Sequence, residues 1–133
     1  MEDIPLFDLQ QSVLIIDDVP SARLILADML RELGFSECLE AKDGREALEV
    51  LRDHSVRLIF CDLMMEGMSG IDFLQALKDR RMAAVPPIIF VSSHGDLDSF
   101  DGALGLGASD YIVKPVSINK LRRKVESALK RDG

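Results

Sequence analysis

Apolar and polar residues follow one another along this chain in two rhythms. Short runs rich in β-branched and large apolar side chains recur at "SVLIID" (12–17), "ECLEA" (37–41), "VRLIFCD" (56–62), "PIIFVSS" (87–93) and "DYIVKP" (110–115), and they read as five strands. Between them apolar positions fall at helical spacing. The first helix runs from Pro20, suited to a first turn, through Ile25, Met29 and Leu33 to a stop at Gly34. A second is expected over 44–54, with Ala47, Leu48 and Leu51 on one face, and a third over 70–80, with Ile71, Leu74 and Leu77. The last follows Ser117, a suitable N-cap, and carries Leu121, Val125 and Ala128 on one stripe. The stretch "DLDSFDGALGLGASD" (96–110) predicts only a short, loosely held fourth helix, because Gly102 and Gly105 each cost a helix about 1 kcal/mol.

Strict alternation of strand and helix with short connections makes the strands parallel, since each helix returns the chain to the same end of the sheet. The fold class is α/β, an open parallel sheet with helices on both faces. Continuous apolar runs mark central strands buried on both sides, whereas the more polar "ECLEA" belongs at an edge. There is no internal repeat, linker or low-complexity segment. Residues 1–11 read as an N-terminal extension and 12–131 as one domain, with no output domain after it.

Composition narrows the classes of function. A chain of 133 residues, 47% apolar and 29% charged, builds one core without disulfides or metals and lacks a membrane-length apolar run. "MEDIPLFDLQ" carries acids where a secretory signal has bases, so the default location is cytoplasmic, with no membrane partner. Cys38 and Cys61 sit in apolar runs and read as buried free thiols. A net charge of −7 argues against direct nucleic-acid binding by this domain.

In parallel sheets the strand carboxyl ends share one edge, where open α/β proteins place their sites. Four strands deliver polar groups there: Asp17 and Asp18, Asp62, Ser92 and Ser93, and Lys114 followed by Pro115. Singly, each has a plain structural explanation as a cap, a turn or a solvated strand end. Jointly, three carboxylates repel unless a cation joins them, and hard oxygen ligands favour Mg²⁺. With Lys114 the occupied site approaches neutrality, which lets a carboxylate attack an anionic phosphoryl group.

"LIIDD", "FCDLMMEGMSGIDFL", "IIFVSS" and "GASDYIVKP" resemble, in order and spacing over 12–130, the receiver domains of two-component response regulators (CheY-like). The resemblance implies a flavodoxin-like five-stranded sheet of order 2-1-3-4-5 and a phosphorylation-activated switch. It implies that a sensor histidine kinase or phosphotransfer protein donates a phosphoryl group to Asp62. It implies that Asp17, Asp18, Asp62 and the backbone carbonyl of Met64 hold Mg²⁺, usually with the second acid of the pair direct and the other through water. Lys114 matches the lysine that contacts the phosphoryl oxygens, and a cis bond is expected before Pro115. Ser92 matches the switch hydroxyl and Tyr111 the aromatic that turns inward behind it, altering the surface of the fourth helix, fifth strand and fifth helix. There an effector domain or partner protein binds, and a homodimer formed on phosphorylation is left open. Such a domain assists its own phosphoryl transfer and loss but turns over no separate substrate.

Two positions depart from the pattern: Glu66 stands where proline is common, and Ser69 where aspartate is common. Met64 and His94 flank the expected path of a hydrolytic water and are candidates for tuning phosphoryl loss, although His94 also reads as an exposed loop residue. Tyr111 alone reads as a half-buried strand residue, and His54 as structural or solvated. "KLRRKVESALKR" reads as a solvated basic face or a docking surface for an acidic partner.

Three rivals remain. A Mg²⁺-dependent phosphohydrolase with an aspartyl-phosphate usually has a second aspartate where Met64 stands. A flavodoxin-like electron carrier would find its flavin phosphate repelled by Asp17 and Asp18. A pseudo-receiver would only bind partners.

Overall fold

The computed structural model describes residues 12–80, 85–93 and 110–132. In chain order these form β1 (Ser12–Ile16), α1 (Pro20–Leu33), β2 (Glu37–Ala41), α2 (Gly44–Asp53), β3 (Val56–Cys61), α3 (Gly70–Asp79), β4 (Ile88–Ser92), β5 (Asp110–Val113) and α4 (Ile118–Asp132). Here α4 is the fifth helix of the sequence reading. The expected fourth helix, His94 and residues 1–11 lie outside the described residues.

All strand pairs are parallel and the sheet order is β2-β1-β3-β4-β5, the flavodoxin-like arrangement expected. Side chains alternate across a strand, so each central strand feeds two cores. Val13, Ile15, Leu58 and Phe60 join Leu26 and Leu30 of α1 and Leu121 and Val125 of α4. Leu14, Ile16, Ile59 and Cys61 join Ala47 of α2 and Phe73, Leu74 and Leu77 of α3 on the other side. β1 is buried at all five positions, whereas edge strand β2 is exposed at Glu37 and Glu40.

Local chemistry sets the boundaries. Pro20 opens α1, and Gly34 closes it at φ 117°, where a side chain is strained, while Phe35 N–H reaches back to Leu30 O at 3.1 Å. Asp43 caps α2 by accepting from Glu46 N–H. Ser69 and Asp72 cap α3 reciprocally, which gives the departure at Ser69 a structural use.

Strands β1 and β3 stop one residue earlier than the apolar runs implied, at Ile16 and Cys61, and β4 and β5 stop at Ser92 and Val113. Asp17, Asp62 and Lys114 therefore follow their strands, whereas Ser92 is the last residue of β4. Cys38 is half-buried, because β2 lies at the sheet edge, while Cys61 is fully buried. His54 ends α2 exposed, its Nδ1 3.2 Å from Val50 O.

Candidate functional site

The backbone fixes the site before any side chain is considered. Each critical residue lies one position beyond a strand yet still donates its N–H to the neighbouring strand: Asp17 to Ala41 O at 3.1 Å, Asp62 to Ile16 O at 2.9 Å. Lys114 N–H likewise reaches Ser92 O at 2.8 Å, and its peptide bond to Pro115 is cis. The last ladder bonds thus hold the three Cα positions while the side chains leave the sheet.

Those side chains converge. Carboxylate oxygens of Asp17, Asp18 and Asp62 lie within 4.8 Å of one another. Lys114 Nζ donates to Asp17 Oδ2 at 3.2 Å and to Asp62 Oδ2 at 3.4 Å. Ser92 Oγ donates to Asp62 Oδ1 at 3.4 Å, and Met64 N–H donates to the same oxygen at 3.1 Å. The acidic pair is asymmetric. Asp17 is buried and also accepts from Val19 N–H, whereas Asp18 is exposed and accepts from Glu66 N–H at 3.2 Å.

Burial pushes the Asp62 carboxyl above its ordinary value, against the pull of Met64 N–H and Lys114 and with the help of Asp17. For Lys114, burial pulls the ammonium down, but Asp62 and Asp17 outweigh it and the net shift is upward. Two carboxylate charges about 5 Å apart repel by roughly 3 kcal/mol at an effective dielectric near 20. Three acids and one lysine leave an uncompensated charge of −2 at the mouth of the sheet.

That arrangement fits a hard divalent cation: the donors are all carboxylate oxygens, they already cluster, and the site's net charge of −2, with Lys114 counted, would be balanced by Mg²⁺. Asp17, Asp18 and Asp62 are the residues that would hold it.

The structure thus brings together Asp17, Asp18, Asp62, Ser92 and Lys114. Met64 meets them through its backbone N–H, while the residue as a whole is 58% exposed. Tyr111 lies apart on β5, half-buried against the α2 and α3 core. Two supporting residues escaped the sequence reading. Arg23 Nη1 donates to Asp17 O at 2.6 Å, and Gly70 N–H donates to Leu63 O at 2.9 Å beside Asp62. Arg23 carried no signal beyond being a polar residue on α1, and Gly70 only marked a helix start.

A doubly wound sheet with an acidic cluster, a hydroxyl and a lysine at its carboxyl edge defines an α/β protein whose candidate site lies at the strand ends. Comparison with known sequences fixes the family. The profile of the response regulator receiver domain matches residues 13–126, and the chain belongs to that family. It is 35% identical over 120 residues to chemotaxis protein CheY of Pseudomonas aeruginosa, covering 90% of this chain and 96% of that protein. It is 36% identical to the phosphate regulon transcriptional regulatory protein PhoB of the same organism, covering 92% of this chain but 53% of that protein. A response regulator receiver domain protein from Clostridium thermocellum superposes with a TM-score of 0.82 at 28% identity, covering 92% of this chain and 96% of that one.

Proposed function

We propose that this chain is a phosphorylation-activated signalling switch whose phosphoacceptor is Asp62. The observation that carries the reading is the meeting of Asp17, Asp18, Asp62, Ser92 and Lys114 at one sheet edge. An oxygen of the Asp62 carboxylate attacks the phosphorus of a phosphohistidine on a sensor kinase or phosphotransfer protein. The new O–P bond forms as the P–N bond breaks, and the bonding pair leaves with the imidazole nitrogen. Lys114, already 3.4 Å from Asp62, supplies a fixed positive charge for the transferring oxygens, and Ser92 offers them a hydroxyl donor. Asp17, Asp18 and Asp62, with the Met64 carbonyl that the family pattern implies, would hold Mg²⁺, which when bound would supply charge neutralisation for the same oxygens.

The surroundings support a protein donor. Beside the site lies a cavity of about 320 Å³, lined by apolar residues that include Ile25, Leu26 and Val91 together with Asp17 and Lys114 of the site. Ile25 in its wall is exposed, an apolar contact on which a donor helix can seat. The response then passes through Ser92 and Tyr111 to the β5 and C-terminal helix surface, which an effector domain or partner protein reads. The switch turns over no separate substrate, because the aspartyl phosphate forms and hydrolyses on its own side chain.

Incubation with acetyl phosphate and Mg²⁺, followed by intact-protein mass spectrometry, tests the reading. One phosphoryl adduct is expected, lost in Asp62→Asn and strongly reduced in Lys114→Ala. An unmodified protein makes this a pseudo-receiver, and an adduct that survives Asp62→Asn assigns the acceptor elsewhere.

A further inference from the structure

Arg23 touches no reacting group in the mechanism above, yet it makes one of the shortest polar contacts at the site. It lies in the first turn of α1 with its side chain only 16% exposed, and its guanidinium spans two elements. Nη1 donates to the main-chain oxygen of Asp17 at 2.6 Å, and Nε donates to Glu40 Oε1 on β2 at 3.0 Å. Glu40 is paired in register with Ile15 of β1, so the fork is braced against the strand beside the site.

The held oxygen belongs to the peptide unit that joins Asp17 to Asp18. That unit is planar, so fixing its carbonyl also fixes its N–H and the direction in which the chain enters Asp18. Asp17 is restrained independently, through its N–H to Ala41 O, its carboxylate to Val19 N–H, and Lys114. Asp18 has less: its exposed carboxylate accepts from Glu66 N–H at 3.2 Å, and Glu66 sits on the loop after Asp62. Orientation of the third acid therefore depends on the peptide that Arg23 grips.

We propose that Arg23 is a positioning residue for the cation site: by holding the Asp17–Asp18 peptide against Glu40, it sets where Asp18 stands relative to Asp17 and Asp62. The inference rests on the reading that these acids hold Mg²⁺. It carries a sign that separates it from a simple charge effect. A guanidinium near a cation site opposes cation binding, so a purely electrostatic Arg23 would tighten Mg²⁺ on removal. A positioning Arg23 loosens it, as outer-shell partners of metal ligands do, by about tenfold or more. Lysine keeps the charge but not the planar fork that reaches two acceptors at once.

The experiment is titration of the full chain with Mg²⁺ alone by isothermal calorimetry, in wild type, Arg23→Gln and Arg23→Lys, with urea unfolding of each metal-free protein beside it. Both variants should bind Mg²⁺ more weakly, glutamine by about tenfold or more and lysine measurably, while remaining folded. The Asp18 amide resonance of metal-free Arg23→Lys should move away from its wild-type position. Unchanged or tighter binding in Arg23→Gln, or full wild-type affinity in Arg23→Lys, overturns the proposal. If the glutamine variant does not fold, the lysine variant decides alone. Wild-type protein that binds no Mg²⁺ overturns the metal reading itself, a result distinct from variants that match a binding wild type.

Discussion

A methyl group placed on Gly70 tests how tightly the fold clamps the acceptor. Gly70 opens α3 directly against the segment that carries Asp62. A Cβ built there would lie 2.5 Å from Asp62 O, 2.7 Å from Phe90 Cε1 and 2.9 Å from Leu63 Cα. Favourable contacts begin near 3.5 Å, so each approach is short by roughly 0.6 Å or more. Two of the three obstacles are main chain and the third is a fully buried ring, so relief requires moving backbone. Overpacking of this kind costs about 1–3 kcal/mol, against which the better helix propensity of alanine returns at most about 1 kcal/mol. Gly70→Ala should therefore lose about 1–2 kcal/mol, and with a urea slope of about 1–3 kcal/mol per molar its midpoint should fall by roughly 1 M. Because the displaced carbonyl is that of Asp62, Mg²⁺ affinity should fall with it. Gly44→Ala is the control, since the added carbon there meets chiefly the flexible thioether of Met68, which can swing aside. Urea unfolding and Mg²⁺ titration of both variants check the reasoning. A Gly70→Ala midpoint at or above wild type, or an equal loss in Gly44→Ala, would refute it.

The remaining expectations concern charge and access. Burial holds the Asp62 carboxyl above its ordinary range, so the metal-free folded protein binds that proton more tightly than the unfolded chain. The ionised group thus costs stability above the ordinary carboxylate value of about 4, and the cost vanishes as pH falls below it. Metal-free Asp62→Asn should unfold at higher urea than wild type at neutral pH, with the gap closing toward pH 4; a less stable Asn variant at neutrality contradicts this. Mg²⁺ at about 100 times its dissociation constant should stabilise the wild type by about 2.7 kcal/mol in thermal or urea unfolding, reversibly with chelator. A gain of the same size in Asp62→Asn would detach that residue from the cation site. Met64 is 58% exposed beside the acceptor, and Met64→Asn should shed the phosphoryl group faster by polar access for water. A dephosphorylation rate equal to wild type removes Met64 from that role.

Much of this protein was written in one-dimensional pattern. Uninterrupted apolar runs marked strands buried on both faces, helical spacing marked the elements between them, and their alternation required a parallel sheet. A parallel sheet puts every carboxyl end on one edge, so Asp17, Asp62, Ser92 and Lys114 were legible as neighbours although Lys114 and Asp17 stand 97 positions apart. Pro20, Gly34 and Ser117 set helix ends by local backbone chemistry alone, and they held. Tertiary structure decided the rest. Register and helix docking made Asp17 buried and paired with Lys114 while Asp18 stayed exposed on Glu66 N–H, a difference that two adjacent identical residues cannot encode. Docking of α1 over β1 and β2 turned Arg23 from one more surface cation into the clamp on the Asp17 carbonyl, and docking of α3 left a methyl on Gly70 too close to the Asp62 carbonyl and the Phe90 ring. Pattern reports which face a residue takes, because burial repeats with the period of the element. It does not report which atoms meet at 3 Å, because that depends on how separate elements settle on one another.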